Sequence, residues 1–452
     1  MRIPGLFEDK QFYKSLFTIA VPIMLQNLIN ALVNMLDTVM IGRLGTVAIA
    51  SVGLGNNFFF LFSMFLFGIC SGAAVFTAQF WGKRDILGIR KNTGFCLLLS
   101  IGLGMIFTGI VILLPEGIIG IYSRDELVIK TGGAYLKTLA PAFIPYSVTF
   151  VFMLTLRSVE RVRLAMLTTL IALSLNLTLN YLFIFGFGAL PAMGVTGAAA
   201  ATAISRIVEM LIMVSVSYAR NYAPAGTVRE FLSFNSEFVR RFLRIAFPVI
   251  LNEILWSLGV STQNIIFAQT HTDAAAAFNI TNTISQLTWV FFIGLGNGAA
   301  TLIGKKIGER NDQSARNYAS RLVRFAPLAA LGTIPILLVL SHILPYIFKV
   351  NDEVLRYTAI MFVILACSYP FRAFNMSMVV GICRAGGDTV FCMMYDLVFM
   401  WIAALPLAAA AGFFFSAPVW VIYICLSLEE PLKMILGLKR YISGKWLHHV
   451  TD

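Results

Sequence analysis

Four polar side chains share one face of an otherwise apolar stretch near the start of the chain. Residues 20–42 are long and hydrophobic enough to cross a bilayer, yet they include Asn27, Asn30, Asn34 and Asp37 at steps of three, four and three. These steps place all four on one stripe of a helix. A carboxyl group inside hydrocarbon faces a bundle interior or a wet cavity and typically serves transport of protons or ions. The alternative is an amide ladder that packs helices beside an inert acid.

Two further amides, Asn176 and Asn180, lie one helical turn apart in the apolar stretch LTTLIALSLNLTLNYLFIFG. If their helix touches the helix of Asp37, the three side chains supply one carboxylate and two amide oxygens, which are ligands that suit sodium. A hydrogen-bonded packing pair is the alternative, because polar side chains commonly join membrane helices. The pattern therefore indicates a candidate cation-coupling site at Asp37, Asn176 and Asn180.

The second half of the chain carries other polar groups inside apolar stretches. Glu253 is followed by Trp256 one helical turn later, and Asp396 is a further candidate acid. The repeat described below places Gln263 opposite Asp37 and Glu253 opposite Asn27, so the two halves carry their acids at different depths. The residues that we interpret as candidates for binding substrate or a proton are Glu253, Asn34, Trp256, Gln263 and Asp396.

Intramembrane arginines are expected to be paired. Arg206 and Glu209 are three residues apart on one predicted helix, so we interpret them as a self-neutralising pair. Arg372 is expected to anchor an acid or to extend its head group toward water.

A proline occurs at the equivalent place in two apolar stretches, Pro22 in the first and Pro248 in the seventh. A proline inside a spanning helix frees a carbonyl group and permits a bend. We interpret both as candidate hinges, with a static packing kink as the alternative.

Composition identifies a polytopic membrane protein. Of the 452 residues 58% are hydrophobic and 12% charged, and the mean hydropathy is +0.82, whereas soluble chains are about 25% charged. The N-terminal residues lack a cleavable signal pattern, so we expect the first helix to be retained. Apolar stretches predict twelve helices at about 12–42, 47–80, 92–114, 132–155, 163–187, 194–218, 240–268, 274–304, 320–348, 357–382, 390–414 and 417–438.

Basic residues lie on alternate loops, which indicates the orientation of the chain. The net charge of +12 is concentrated at 83–91, 157–163, 220–244, 305–324 and 439–445. By the positive-inside rule these segments and both termini are cytoplasmic. The charge therefore serves topology and does not indicate nucleic-acid binding.

An internal repeat organises the helices. A shift of 226 residues aligns positions 22–85 with 248–311 without a gap, and 15 of the 64 positions are identical, among them prolines, glycines and an arginine. Six helices per half make both halves enter the membrane from the same side. We therefore predict an all-α polytopic membrane protein with twelve transmembrane helices in two six-helix lobes, related by a pseudo-twofold axis along the membrane normal. The predicted domains are an N-lobe at 1–218, a cytoplasmic linker at 219–239 and a C-lobe at 240–452.

Several classes of function lack support in the sequence. The stretch Gly304-Lys305-Lys306 lacks the earlier glycine and the Ser or Thr of a nucleotide-binding loop, so we expect no use of ATP. The six cysteines and four histidines show no metal-ligand spacing, and no hydrolase motif is present. The chain is thus expected not to be an enzyme and to use no cofactor beyond a coupling ion, which leaves secondary transport.

Particular stretches resemble the multidrug and toxic compound extrusion (MATE) family, and its bacterial NorM-like members most closely. They are VPIMLQNLINALVNMLDTVMIGRLGTVAIASVGLG, GICSGAAVFTAQFWGKRD, SLNLTLNYLFIFG with GVTGAAAATAISR, FPVILNE and GICRAGGDT. The resemblance covers nearly the whole chain. It implies twelve helices in two lobes and the export of organic, often cationic and aromatic, compounds in exchange for sodium or protons.

The resemblance also implies roles for particular residues. Asp37 matches the acid of the family's N-lobe cation site, Asn176 and Asn180 match its partners, and Glu253 matches the C-lobe acid. Ala373 departs from the pattern, because NorM-like proteins carry an aspartate there, so the C-lobe site is incomplete and Glu253 is expected to act in substrate binding or as a lone protonatable group. The family's N-lobe site has one further partner on the sixth helix, for which Thr196 and Thr202 are both candidates, and the choice between them stays open.

These observations together predict a drug or cation antiporter of the bacterial inner membrane. We expect a monomer whose partners are a small organic substrate and the lipid bilayer. The alternative within the same superfamily is a flippase or exporter of a lipid-linked or other polar metabolite. A flippase for a pyrophosphate head group requires several arginines or lysines in its cavity, whereas acids and aromatic residues prevail here.

Overall fold

The computed structural model describes residues 5–6, 8–188, 191–270, 272–347 and 350–452. This part of the chain is almost entirely helical, with three- to six-residue turns between many of the helices. The α-helices are α1 Lys10–Gly42, α2 Thr46–Lys83, α3 Ile86–Leu113, α4 Pro115–Gly120, α5 Glu126–Leu139, α6 Phe143–Ser158, α7 Val162–Phe185, α8 Gly194–Ala219, α9 Val228–Phe231, α10 Ser236–Thr270, α11 Thr272–Gly308, α12 Asp312–Ile347, α13 Asp352–Met376, α14 Thr389–Val398, α15 Leu405–Ala409, α16 Val419–Ser427 and α17 Glu429–Ser443.

Within the described residues, 11 helical segments are long and apolar enough to cross a membrane. Some of these segments combine helices of different pitch. A 3₁₀ turn at Ala140–Ala142 joins α5 to α6, and π-helical turns at Ser377–Cys383, Phe399–Ala404 and Ala410–Phe414 continue α13, α14 and α15. The all-α membrane architecture predicted from hydropathy is confirmed.

The last predicted span, 417–438, is one helix in the prediction and two in the structure. Helix α16 ends at Ser427 and α17 begins at Glu429, with Leu428 between them. The physical reason is Pro431, which has no N–H to donate to the carbonyl four residues earlier. A proline is tolerated in the first turn of α17, where that donor is not needed.

The internal repeat is visible in backbone conformation as well as in sequence. Arg84 and Arg310, which the repeat aligns, both adopt the left-handed conformation, with φ of 59° and 58°. The next residue caps the following helix in each case. Asp85 accepts from the Gly88 N–H at 2.8 Å and Asn311 from the Ser314 N–H at 3.0 Å. The same helix-ending turn is therefore built twice.

The chain divides into two compact units. The N-unit is Leu25–Ala246, and the C-unit consists of the chain up to Met24 together with Phe247–Asp452. The N-unit core contains a cluster of rings in which Phe62 lies 5.1 Å from Phe107 and 5.0 Å from Phe143. In the C-unit, Phe267 stacks on Phe278 at 4.2 Å. The lobe limits predicted from the repeat, at 218 and 240, stay a prediction.

The segment between α8 and α10 is held by one short capped helix. The Thr227 hydroxyl and the Glu230 side chain form a capping box at the start of α9. Glu230 also pairs with Arg90 at 2.7 Å. These contacts, first the hydrogen bond from the Thr227 backbone N–H and then that from Arg90, hold the pKa of Glu230 below its usual value.

Candidate functional site

The structure brings together the three residues of the predicted cation-coupling site. Asn180 on α7 donates its amide N–H to Asp37 Oδ1 on α1 at 2.7 Å and to Asn176 Oδ1 at 3.2 Å. Asn176 and Asn180 are buried, whereas Asp37 is half-buried. Helices α1 and α7 therefore touch at this point, which was the condition for a shared oxygen site.

Helix α8 supplies a fourth member of this chain of contacts. Asn176 donates its amide N–H to Thr202 Oγ1 at 3.3 Å. The other threonine left open by the sequence, Thr196, donates its hydroxyl to the Met193 carbonyl at 2.9 Å. We call Asp37, Asn180, Asn176 and Thr202 the N-unit polar chain.

One oxygen of the N-unit polar chain has no hydrogen-bond donor among the described residues. Asn180 Oδ1 is buried, and no described side chain or backbone group donates to it. Buried amide oxygens are normally satisfied, so this atom marks a place where a further positive or donating group fits. In the conformation seen here the Asn180 N–H satisfies Asp37. A half-turn of the Asn180 amide would instead present its oxygen beside the carboxylate.

A second polar network lies in the N-unit, beside the N-unit polar chain. Asn34 belongs to neither of the two. Asn34 is exposed on α1. Gln26, eight residues and about two helical turns before Asn34, donates to Thr169 Oγ1 at 2.7 Å and accepts from Arg157 at 2.5 Å. The expectation that Arg157 lies on a loop is wrong, because this residue lies in the last turn of α6 and its guanidinium contacts Gln26.

Glu209 completes this second network. It accepts from the Thr169 hydroxyl at 2.9 Å and pairs with Arg206 at 2.7 Å, and its side chain is only 2% exposed. The predicted Arg206–Glu209 pair is confirmed. Each charge in this pair has an opposite charge beside it.

In the C-unit, Glu253 has a charged partner. Arg384 donates to Glu253 Oε1 at 2.5 Å, and the two side chains are 7% and 13% exposed. The expectation of a lone protonatable group at 253 is therefore wrong, because Arg384, just beyond the π-helical turn, neutralises the acid. Ala373 is fully buried and adds no charge.

The Arg384–Glu253 contact has a neutral counterpart in the N-unit. Arg157 contacts Gln26 across 131 positions of sequence, and Arg384 contacts Glu253 across the same 131. When the two arginine contacts are superposed, Glu253 in the C-unit therefore corresponds to Gln26 in the N-unit. The alignment of the repeat matched Glu253 to Asn27, one residue later.

Asp396 contacts Asn252, the residue before Glu253. It belongs to a cluster of charged side chains that was not predicted from the sequence. Asn252 donates to Asp396 Oδ2 at 3.3 Å, and Lys433 on α17 approaches Asp396 Oδ1 at 3.2 Å. Lys433 also pairs with Glu429 at 3.5 Å. The signal was present, since Glu429, Glu430 and Lys433 fall inside the predicted last span, where charges are rare.

Arg372 also belongs to this part of the C-unit. Its guanidinium lies 3.4 Å from Glu430 Oε1. Anchoring of an acid, one of the two expectations for Arg372, is therefore what the structure shows.

Trp256 and Gln263 lie on α10 with half-buried side chains. Gln263 is ten residues beyond Glu253, about 15 Å along a helix axis, so the structure does not gather them into one site. Pro22 and Pro248 lie inside α1 and α10. Their role as hinges stays a prediction, as do the roles of the other candidate residues.

A model of the MatE family matches residues 22–182 and again residues 248–410. The two matches begin at Pro22 and Pro248, the positions that the internal repeat aligns. Together they cover well over half of the chain.

Similar proteins of known sequence match along nearly their whole length. "Probable multidrug resistance protein NorM" of Thermotoga maritima is 26% identical over 97% of this chain and 94% of its own. "Uncharacterized transporter YisQ" of Bacillus subtilis is 23% identical over 97% and 96%. A solved structure described as the outward-facing conformation of a multidrug resistance MATE family transporter superposes with a TM-score of 0.86 at 20% identity, over 96% of each chain. This last likeness shows the fold.

Proposed function

The chain belongs to the MatE family, and on this premise we propose that it is a secondary active antiporter that exports organic compounds in exchange for sodium ions or protons. Cationic and aromatic drugs or metabolites are the proposed substrates. The coupling ion is itself transported and is not a resident cofactor, and the proposed exchange requires no ATP. The proposed location is the bacterial cytoplasmic membrane with both termini inside, as the distribution of basic residues indicates.

The observation that carries this proposal is the contact between Asp37 and Asn180 inside the N-unit polar chain. A half-buried carboxylate with an amide donor is stable without a bound ion, because the N–H compensates part of its negative charge. An arriving cation or proton competes with that N–H for the carboxylate. The site therefore has two alternative ways of satisfying Asp37, which is what an exchange mechanism requires.

Sodium and protons place different demands on the same residues. Sodium requires several oxygens at once, and the N-unit polar chain supplies them from the Asp37 carboxylate, the amide oxygens of Asn176 and Asn180, and the Thr202 hydroxyl. The orphaned Asn180 Oδ1 is the oxygen that such an ion recruits after the amide turns. A proton needs only the Asp37 carboxylate.

The proposal is tested with purified protein in proteoliposomes that are loaded with a fluorescent organic cation and contain no nucleotide. A sodium gradient and a proton gradient are imposed separately. We expect substrate movement driven by at least one gradient, and reversal of its direction when that gradient is reversed. Substrate movement that follows only its own concentration difference under both gradients would exclude an antiporter.

A further inference from the structure

A cluster of charged side chains in the C-unit is separate from the N-unit polar chain. Lys433 on α17 lies between two carboxylates, 3.2 Å from Asp396 on α14 and 3.5 Å from Glu429 in the first turn of α17. The side chains of Lys433 and Glu429 are 5% and 9% exposed, and that of Asp396 is 21% exposed. We call these three residues the C-unit triad.

The other charges nearby are matched one to one. Glu430 pairs with Arg372 at 3.4 Å and also accepts from Asn375 at 2.7 Å. Glu253 pairs with Arg384 at 2.5 Å. Five other titratable or charged groups face the triad. They are Glu253, Arg372, Arg384, Tyr395 and Glu430.

A count of formal charges leaves one carboxylate in excess. The region contains four carboxylates, at 253, 396, 429 and 430, and three cations, at 372, 384 and 433. Because Glu253 and Glu430 are matched by their arginines, the excess falls on the triad, where one ammonium faces two acids. Asp396 also accepts a hydrogen bond from the Asn252 amide, whereas Glu429 Oε2 accepts no hydrogen bond from the described residues.

Two carboxylates that share one cation in a poorly hydrated place cannot both stay ionised at little cost. A proton taken up by the pair leaves one carboxylate opposite one ammonium and removes the excess. Sodium is a poor alternative, because the ammonium of Lys433 already occupies the position between the acids and repels a second cation. We propose that the C-unit triad of Asp396, Glu429 and Lys433 binds one exchangeable proton, which the two carboxyl groups share.

The N-unit lacks such a site at the matching positions. The offset of 227 that relates Arg157 to Arg384 also relates Thr169 to Asp396, Arg206 to Lys433 and Thr202 to Glu429. Two hydroxyl groups thus stand where the triad has acids. Arg206 is matched by Glu209 instead. The proposed proton site is a property of the C-unit alone and does not depend on whether sodium or a proton binds at Asp37.

The proposal is tested by infrared spectroscopy of the purified, full-length protein in lipid, without substrate. The C=O stretch of protonated carboxyl groups is recorded as the pH is raised in steps. Sharing predicts that Glu429→Gln and Asp396→Asn each remove the same component, equal to one carboxyl per protein, because the remaining acid then pairs with Lys433 and ionises. The double variant should look like either single variant.

Glu126→Gln is the matched control. Glu126 also stands first in its helix and pairs with a lysine four residues later, Lys130 at 2.8 Å, but both side chains are exposed. Its spectrum should equal that of the wild type. Asp37→Asn should keep the component that Glu429→Gln removes, so the triad is tested whether or not Asp37 couples transport.

The outcomes that overturn the proposal are distinct. A component that survives in both carboxyl variants, or that is lost in one of them and kept in the other, contradicts a shared proton. If either variant fails to fold, Lys433→Met carries the test. Removal of the ammonium should add about one protonated carboxyl per protein, since the acids then have no shared cation, and an unchanged spectrum would refute the site.

Discussion

The Arg384–Glu253 pair permits a sharp prediction about the stability of the C-unit. Arg384→Met should leave the Glu253 carboxylate buried without this cation, and its side chain is only 13% exposed. Breaking a buried pair in this way costs about 3–5 kcal/mol. Glu253→Gln should cost less, roughly 1–3 kcal/mol, because a neutral glutamine remains as an acceptor. The N-unit already contains that arrangement in Arg157 and Gln26.

The assay is thermal unfolding of the detergent-solubilised protein, followed by the loss of monodisperse material in size-exclusion chromatography. At about 2–4 °C per kcal/mol for a unit of this size, Arg384→Met should lower Tm by roughly 10 °C. The double variant with Glu253→Gln should recover most of that loss, because neither charge is then left unmatched. Equal losses for the two single variants, added together in the double variant, would refute the reasoning that Arg384 neutralises Glu253.

Three other outcomes follow from the structure. Asn180→Ala should impair sodium-driven efflux in proteoliposomes strongly and leave part of the proton-driven efflux, since a sodium site needs the amide oxygen. Full sodium coupling in this variant would exclude a sodium site in the N-unit. Thr202→Val should weaken sodium coupling more than Thr196→Val, and equal effects would exclude Thr202 as the α8 ligand. The pKa of Glu230 is lowered on folding, so its stabilisation of α9 is present above the unfolded-state pKa and is lost as pH falls through the folded-state pKa. The protection factor of the α9 amides in hydrogen exchange, taken relative to the intrinsic exchange rate at each pH, should therefore fall on acidification in the wild type, whereas Glu230→Gln should show no such change.

Hydropathy and the repeat predict most of the architecture, because both depend on the order of residue types along the chain and not on which side chains meet between helices. Apolar length predicts a span, and a fixed offset with aligned prolines and glycines predicts duplication. The break at Leu428 was within reach of the same reasoning. Pro431 stands in the middle of an apolar stretch, where a helix begins more readily than it continues.

Partners across helices could not be predicted in the same way. The polar stripe on α1 identifies which residues avoid lipid, but not that Asp37 meets Asn180 while Asn34 is exposed. Helix periodicity also does not show that Arg384 reaches Glu253, since contact depends on how helices separated by more than a hundred residues turn toward each other. Once the contacts are known, the excess charge near Lys433 follows from counting.

In the proposed antiport, Asp37 couples ion movement to substrate export. The most direct measurement compares Asp37→Asn with Asp125→Asn in proteoliposomes under a sodium gradient alone and a proton gradient alone. Asp125 is exposed and caps α5 by accepting from the Leu127 N–H at 2.9 Å, and asparagine caps a helix equally well. We expect Asp125→Asn to export like the wild type, whereas Asp37→Asn should fold normally and show no gradient-driven export. Undiminished gradient-driven export by Asp37→Asn would contradict the proposed coupling.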